Sequence, residues 1–219
     1  MDYKEIMTRA RYSRQWLSVL IGCETSGTVR DAFRRRNHDA TSCDILPDDN
    51  KSPHHIRSDI MKVIKMGNPK PNYSLKDFWW DIIILFPPCT CLCVSGNRYY
   101  GEGKPLHHKR LEAIKWTKRL WALAKRHAPQ VCMENPVGVL PSSGLKPKQY
   151  INPWQFGHGE TKKTGLWLHN LEPLVPTNIV SGREQKVWKM GPSPERSKLR
   201  SKTYPGIARA MAKQFTLEN

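Results

Sequence analysis

The sequence predicts a single α/β domain, residues 1–219, with a mostly parallel sheet and helices on both faces. Three observations support this prediction. Apolar strand-like runs alternate with amphipathic helical segments through most of the chain. In the run DIIILF at 81–86 every residue after Asp81 is apolar, as expected for a strand buried on both faces. Polar or sulfur-containing residues directly follow the predicted strands, as at the carboxyl edge of a parallel sheet, where ligands bind.

The predicted elements follow each other closely along the chain. In order they are a strand at 16–24, a helix at 26–38, a strand at 39–45, a strand at 81–86, a helix at 107–129, a strand at 130–135 and a helix at 205–215. Ser26 is the predicted cap of the first helix, and Pro129 ends the long one. The apolar stripe predicted for the long helix comprises residues 111, 114, 120, 121 and 123.

The remaining segments lack a periodic apolar pattern. Residues 1–14 are predicted to form an N-terminal arm, and residues 140–203 an irregular basic insertion rich in Pro and Gly. Within that insertion, residues 183–202 carry seven Lys or Arg against two Glu. This composition predicts a surface loop, or a segment that becomes ordered only when it binds a partner.

The charge of the chain predicts a polyanionic partner. Lys and Arg number 36 against 19 Asp and Glu, which gives a formal net charge of +17 and a pI of about 9.8. Binding of a basic protein to nucleic acid is favoured by the release of condensed counterions. No apolar run is long enough for a membrane span, and the polar, partly acidic N-terminus does not resemble a signal peptide. We therefore expect a cytoplasmic protein that binds no membrane.

The six cysteines are expected to be reduced thiols rather than disulfides in that compartment. Cys89, Cys91 and Cys93 alternate singly, and no second ligand pair with zinc-site spacing accompanies them. The spacing therefore disfavours a metal site. Cys91 and Cys93 are predicted to be small buried apolar residues, which leaves Cys89 at the end of a strand as the candidate for chemistry.

Four predicted strands end in residues that could act together. These residues are Cys23 and Glu24 at the end of the first strand with Gly27 shortly after it, Asp44 at the end of the second, Cys89 after the third, and Glu134 and Asn135 at the end of the fourth. Carboxylates at neighbouring strand ends can hold ribose hydroxyls, and a thiol and a carboxyl group can meet on a substrate. Each residue alone also has a structural interpretation: Asp44 can shape a turn, Glu24 can cap a helix, and Cys89 can be an inert buried thiol.

Two motifs resemble those of the cytosine-5 DNA methyltransferases. Pro-Pro-Cys closes the strand at 81–86 and is followed by Ser95-Gly96, while Glu134-Asn135-Pro136 closes the next strand. The resemblance covers roughly residues 17–140 and resumes at KTYPGIARAMAKQF, 202–215. It implies a Rossmann-like methyltransferase fold, S-adenosylmethionine as the cofactor and DNA as the partner.

The resemblance also assigns roles to individual residues. It makes Cys89 the nucleophile that adds to carbon 6 of cytosine, Glu134 the acid that protonates N3, and Asn135 part of the catalytic loop. The target base would have to be flipped out of the duplex or already be single-stranded. The implied cofactor-binding residues are Glu24, Gly27, Asp44, Asp59 and Pro87, and the implied substrate-binding residues are Ser95, Lys162 and Lys163.

The chain also departs from the family pattern. The first motif is reduced to IGCETSG, without an adjacent glycine pair, and Thr90 replaces the Gln that follows Pro-Cys. Only about 60 residues, 140–203, stand where the family carries a target-recognition region, as in small phage-borne forms. Two alternatives therefore remain open. The same Cys/Glu pair could catalyse another carbon-5 or glycosidic reaction of pyrimidines on DNA or nucleotides, or the protein could be a non-catalytic DNA-binding relative.

Overall fold

The structure is a computed structural model that describes residues 16–67, 80–186 and 196–216. Its sheet contains the strands β1 (Ser18–Gly22), β2 (Asp39–Asp44), β3 (His55–Arg57), β4 (Ile82–Leu85), β5 (Gln130–Pro136), β6 (Gln149–Ile151) and β7 (Thr164–His169). Its helices in the described ranges are α1 (Thr28–Arg34), α2 (Ile60–Met66), α3 (Asn97–Tyr100), α4 (His107–His127), α5 (Arg196–Ser201) and α6 (Pro205–Gln214).

The seven strands form one sheet in the order β3-β2-β1-β4-β5-β7-β6. The strands from β3 to β5 pair in parallel, with Val19 opposite both Ala40 and Ile82. Of these seven strands only β7 runs in the opposite direction, since β7 is antiparallel to β5 and β6 is in turn antiparallel to β7. The prediction of an α/β domain with a mostly parallel sheet is confirmed.

Helices cover both faces of this sheet, as predicted. On one face, Val19 and Ile21 of β1 pack in a cluster that includes residues of α1 and α6. On the other face, Leu20 packs in a cluster that includes residues of α2 and α4. Because successive strand residues point to opposite faces, an uninterrupted apolar strand supplies both clusters at once. Each fully buried side chain of this kind contributes roughly 1.5–3 kcal/mol to stability.

The first helix differs from its prediction at both ends. Gly27, with φ of 67°, is the residue before α1, and Ser26 lies one position earlier with its hydroxyl 3.3 Å from the amide of Thr28. An added Cβ at Gly27 would lie 2.2 Å from a guanidinium nitrogen of Arg30, so this left-handed turn requires glycine. The helix ends at Arg34, and the left-handed Asn37 leads the chain into β2.

The polar stretch after β2 contains two elements that the sequence did not reveal. β3 spans three residues, and α2 begins after Asp59, whose carboxylate accepts a hydrogen bond from the amide of Lys62 at 3.0 Å. Asp59 is thus an N-cap, a role that any Asp before an apolar turn can fill. The preceding loop is held by Asp48, which pairs with the buried guanidinium of Arg30.

The long helix α4 packs through the predicted stripe except at its first residue, since Leu120 and Leu123 are buried and Ile114 and Trp121 pack partly buried against the same cluster. Leu111 is 55% exposed, whereas Arg110 beside it is only 5% exposed. The buried side also includes Thr117, Leu120 and Ala124. The prediction was wrong only for Leu111, because the start of the helix faces the backbone carbonyls of Cys91 and Cys93, to which Arg110 donates hydrogen bonds.

The segment 140–203 contributes two strands and a helix. β7 lies between β5 and β6 in the sheet, and α5 falls in the basic stretch. The predicted arm, 1–14, and residues 187–195, which include Trp188, lie outside the described residues. Within the described ranges, no helix is both long enough and apolar enough to cross a membrane.

Candidate active site

The end of β4 positions Cys89. The amide of Phe86 still donates to the carbonyl of Gly22 on β1 at 2.9 Å, but Pro87 and Pro88 have no N–H, so the strand pairing stops there. The carbonyl of Cys89 then accepts hydrogen bonds from the amides of Leu92 and Cys93, both at 2.9 Å. The chain therefore makes one helical turn after the prolines, and this turn brings the half-buried side chains of Cys89 and Cys93 to the same side.

The end of β5 is hydrogen-bonded to this turn. The side-chain amide of Asn135 donates to the carbonyl of Pro87 at 2.9 Å, and Asn135 is only 1% exposed. Two residues beyond Pro136, Gly138 lies so close to the other loop that an added Cβ would be 2.0 Å from the carbonyl oxygen of Leu92. Since β4 and β5 are parallel neighbours, Cys89 and Glu134 belong to adjacent strand ends that are hydrogen-bonded together.

Glu134 lies in a desolvated environment. Burial raises the pKa of its carboxyl group, while the positive charge of Lys162 and a hydrogen bond with Thr164 lower it in part. The pKa of Cys89 is also raised, first by its hydrogen bond with Cys93 and then by burial and the charge of Glu134, against Lys162. Cys89, Glu134 and Lys162 therefore share one electrostatic environment. A carboxyl group of this kind can keep a proton near neutral pH.

The two predicted substrate lysines have different surroundings. The ammonium group of Lys162 donates to the carbonyls of Arg200 at 2.7 Å and Lys202 at 3.2 Å. It thereby fixes the end of α5 beside the site. The exposed Lys163 instead lies over the ring of Tyr150, 4.9 Å from its centroid. Consecutive residues point to opposite sides of an extended chain, so only Lys162 approaches Glu134.

A small hollow borders Glu134 on the side of α6. Its lining consists of Glu134, Ile151, Pro153, Lys162, Thr164, Thr203, Tyr204 and Ile207. Glu134 and Lys162 open onto it, whereas Cys89 is not part of its lining. The oxygen Oδ1 of Asn135, also buried at this strand end, has no hydrogen-bond partner among the described residues.

The carboxylate of Glu24, at the first strand end, is used by the fold. It accepts hydrogen bonds from the amides of Val29 at 2.7 Å and Arg30 at 3.3 Å, and from the hydroxyl of Ser26 at 3.3 Å. Glu24 is 6% exposed, and burial raises its pKa to about 7. Its carboxylate thus caps α1, which is the structural interpretation that the sequence left open.

Asp44 and Asp59 are more accessible. One carboxylate oxygen of Asp44 accepts the amide of Leu46 at 2.9 Å, and the side chain is half-buried. Both aspartates act electrostatically on Cys23, whose thiol has a pKa raised chiefly by burial. The two carboxylates therefore gather around the end of β1. Pro87 lies just beyond the neighbouring end of β4, because β1 and β4 are paired up to Gly22 and Leu85.

The sequence did not single out Cys93 and Arg110. The thiol of Cys93 lies 3.1 Å from the hydroxyl of Ser95, one of the predicted substrate-binding residues. Arg110 donates to the carbonyl of Cys91 at 2.7 Å and to that of Cys93 at 3.5 Å, and so fixes the loop from α4. A buried arginine in an amphipathic helix facing a cysteine-rich loop is a signal that could have identified this contact.

Comparison of the sequence with known proteins assigns neither a family nor a function. The chain matches no protein-family model, and it is not significantly similar to any curated protein. Within the described ranges, no cluster of three or more His, Cys, Asp or Glu side chains has the arrangement of a metal site.

Proposed function

We propose that the protein is a Rossmann-like methyltransferase that moves a methyl group from S-adenosylmethionine to carbon 5 of cytosine in DNA. The observation that carries the proposal is the pairing of Cys89 with Glu134 at adjacent strand ends, with Lys162 acting on both. The parallel strand order 3-2-1-4-5 is that of doubly wound nucleotide-binding sheets, which supports the assignment of the fold.

The two side chains suit the chemistry of the cytosine ring. Carbon 5 becomes nucleophilic when a thiolate adds to carbon 6, because the addition breaks the conjugation of the ring. Negative charge then develops on the ring and is neutralised when a protonated carboxyl group donates to N3. The raised pKa of Glu134 allows it to carry that proton at neutral pH. Loss of the proton on carbon 5 and departure of the thiolate complete the reaction.

The carboxyl ends of β1 and β2 fit the cofactor through their aspartates. Asp44 is half-buried with one oxygen taken by a backbone amide, and Asp59 lies close to the same strand end, so both can accept hydrogen bonds from ribose or adenine. When bound, S-adenosylmethionine supplies an electrophilic methyl group on a sulfonium. Glu24 would contribute through the turn that it stabilises rather than through a free carboxylate.

The exposed surface of α4 carries a positive charge that suits DNA as a partner. α4 starts next to the cysteine loop and, apart from the buried Arg110, its Lys and Arg side chains face solvent along its length. The exposed ones are Lys109, Lys115, Lys118, Arg119, Lys125 and Arg126. A row of cations on one helix can neutralise phosphates without reading the sequence of bases.

Nucleoside mass spectrometry of treated DNA tests the proposal. Single- and double-stranded DNA would be incubated with the protein and S-adenosylmethionine, digested and examined for 5-methylcytosine. We expect the product with the wild type and with Cys91→Ser, and none with Cys89→Ser. Absence of the product from both forms of DNA would contradict the proposal, and so would an unchanged yield with Cys89→Ser.

A second function is favoured by the use of Glu24 as a cap, which leaves the cofactor edge with fewer free acceptors. In that case the Cys/Glu pair would catalyse another carbon-5 or glycosidic reaction of a pyrimidine. Calorimetry separates the two functions. Measurable heat of S-adenosylmethionine binding supports methyl transfer. No heat, together with a covalent adduct on a 5-fluorocytosine oligonucleotide, supports the second function, and neither signal supports a DNA-binding protein without catalysis.

A further inference from the structure

We propose that Arg110 is a positioning residue for the nucleophile, because its buried guanidinium holds the turn that aims Cys89 at the pyrimidine ring. This inference rests on the proposed function and adds to it a residue of α4 that lies outside the two strand ends. The turn comprises residues 89–93 and is called the cysteine turn below. Arg110 acts on it through two backbone carbonyls.

The carbonyls of the cysteine turn receive hydrogen bonds from separate parts of the chain. The carbonyl of Cys89 accepts two amides of the turn itself, and that of Leu92 accepts the amide of Val139 at 2.9 Å. Among the described residues, the donor to the carbonyl of Cys91 is Nε of Arg110, at 2.7 Å. A buried carbonyl that loses its donor is costly, so the cysteine turn depends on Arg110 to keep this conformation.

The guanidinium reaches the turn at two points. Besides the bond from Nε to the carbonyl of Cys91, Nη2 lies 3.5 Å from the carbonyl oxygen of Cys93. The packing around it is tight: an added Cβ on Gly96 would lie 2.6 Å from the carbonyl oxygen of Thr90 and 3.7 Å from the same Nη2. A planar guanidinium offers several donors in a fixed arrangement, whereas a lysine ammonium is a point charge. The two-point contact therefore requires arginine.

The burial of Arg110 also points to a role in holding the turn. The other buried arginine, Arg30, forms ion pairs with Asp31 and Asp48. In the part of the chain that the structure describes, no carboxylate lies within ion-pair distance of Arg110, and its partners are carbonyl oxygens. A buried cation of this kind is disfavoured relative to an apolar side chain of similar volume. The fold of α4 alone would thus favour methionine at this position.

The direction in which Cys89 points matters for the proposed reaction, since its sulfur must meet carbon 6 of the ring. A misplacement of roughly 1 Å can slow a reaction by about 100-fold. Arg110 contacts the third and fifth residues of the turn that Cys89 begins. It belongs to a helix that is fixed in the core through Leu120 and Ala124. Loss of the guanidinium should therefore loosen the turn while the sheet and α4 remain.

The test compares Arg110→Met and Arg110→Lys with the matched control Leu120→Ala. The control removes a fully buried side chain from the same helix, ten residues or about 15 Å further along its axis. Hydrogen exchange of the amides in 89–96 measures the hold on the turn without DNA. The rate of covalent capture of a 5-fluorocytosine oligonucleotide and the affinity for DNA are measured separately.

We expect Arg110→Met to speed exchange in 89–96 by about tenfold or more and to slow capture by about 10–100-fold. DNA affinity should stay within about threefold, because Arg110 is buried away from the phosphates. Arg110→Lys should recover part of the capture rate, since one donor can still reach the turn. Leu120→Ala should lower the urea midpoint but change capture by no more than about twofold.

Each outcome decides the proposal. Equal exchange in 89–96 for Arg110→Met and Leu120→Ala would overturn it, and so would equal losses of capture and DNA affinity. Faster exchange with an unchanged capture rate would also overturn it. If exchange is faster in Arg110→Met but even the wild type captures no DNA, the hold on the cysteine turn is supported and the proposed function is overturned. Urea unfolding establishes that the variants are folded, and Arg110→Lys replaces Arg110→Met in the comparison if the latter is not.

Discussion

Two parts of the carboxyl edge of the sheet differ in how they use their ionisable side chains. At the carboxylate edge, defined by Glu24, Asp44 and Asp59, each side chain accepts a backbone amide of the turn or helix that follows it. At the nucleophile edge, defined by Cys89, Cys93 and Glu134, the groups act electrostatically on one another: Cys93 and Glu134 both raise the pKa of Cys89, and the charge of Lys162 acts on Cys89 and on Glu134.

This difference separates folding from chemistry. An Asp or Glu that caps a helix stabilises the fold whether or not a cofactor binds, so its presence is weak support for a cofactor site. A thiol and a carboxyl group at adjacent strand ends, both with raised pKa values, have no such local explanation. Perturbed groups of this kind concentrate at functional sites. The nucleophile edge therefore carries most of the functional inference.

The largest effect that we expect is from Glu134→Gln. The amide cannot donate a proton to N3, so turnover should fall on the order of 10²-fold or more while DNA affinity stays within about twofold. Single-turnover methylation and DNA titration measure the two quantities. Equal losses in both would show that Glu134 only supports the structure.

Sequence reasoning could reach the nucleophile edge because its side chains sit at strand ends. A proline pair and a Glu-Asn-Pro tripeptide mark where β4 and β5 stop, and parallel strands bring their ends together. Cys93 was predicted to be a buried apolar residue, but it is half-buried on the same side as Cys89 because the chain makes a helical turn after the prolines. An alternating Cys-x-Cys-x-Cys pattern suggests extended chain instead.

Tertiary contacts also explain the other differences from the prediction. Arg110 replaces Leu111 on the buried side of α4 because the loop carbonyls of Cys91 and Cys93 need donors there. β7 was not evident because TGLWLH is short and follows a run of lysines. Its place in the sheet depends on pairing with the whole length of β5 from Val131 to Pro136.

At the carboxylate edge, Asp44→Asn should weaken S-adenosylmethionine binding by about 10–100-fold, the cost of losing a charged hydrogen-bond acceptor. The amide oxygen of Asn can still accept the Leu46 amide, so the turn should persist. Calorimetry measures the change. Glu172→Gln is the matched control, as it alters charge equally after β7, at the opposite edge of the sheet. Identical affinities for the two variants would remove Asp44 from the cofactor site.

The folding role of the carboxylate edge can be tested at Glu24, through the pH dependence of the free energy of unfolding. Its folded pKa of about 7 lies above the ordinary value of 4.5, so the folded state binds the proton more tightly. The stability contributed by that proton is complete below about pH 4.5 and is lost as the pH rises through 7. Glu24→Gln stays neutral, so it should gain roughly 3 kcal/mol relative to wild type across this interval.

Urea unfolding at several pH values measures this difference. His38, His158 and His169 have lowered pKa values, chiefly through burial, and therefore change stability in the opposite direction. Their contribution is common to both proteins and cancels. A pH-independent difference between Glu24→Gln and the wild type would refute the raised pKa.

The smallest effects concern the two lysines. Lys162→Met removes two hydrogen bonds to the end of α5 and a charge that lowers the Glu134 pKa. We expect turnover to fall by about threefold to tenfold and the alkaline limb of the pH profile to move to higher pH. Lys163→Met, which loses only contact with Tyr150, should change neither by more than about twofold. Equal effects of the two substitutions would dissociate Lys162 from the nucleophile edge.

The most direct test of the nucleophile edge is to identify the atom that bonds to the base. A 5-fluorocytosine oligonucleotide would be incubated with the wild-type protein and S-adenosylmethionine, and the denatured product mapped by peptide mass spectrometry. We expect one oligonucleotide attached through Cys89, with its methyl group retained, because fluorine on carbon 5 blocks the final elimination. Attachment through Cys91 or Cys93, or no attachment at all, would contradict the central claim.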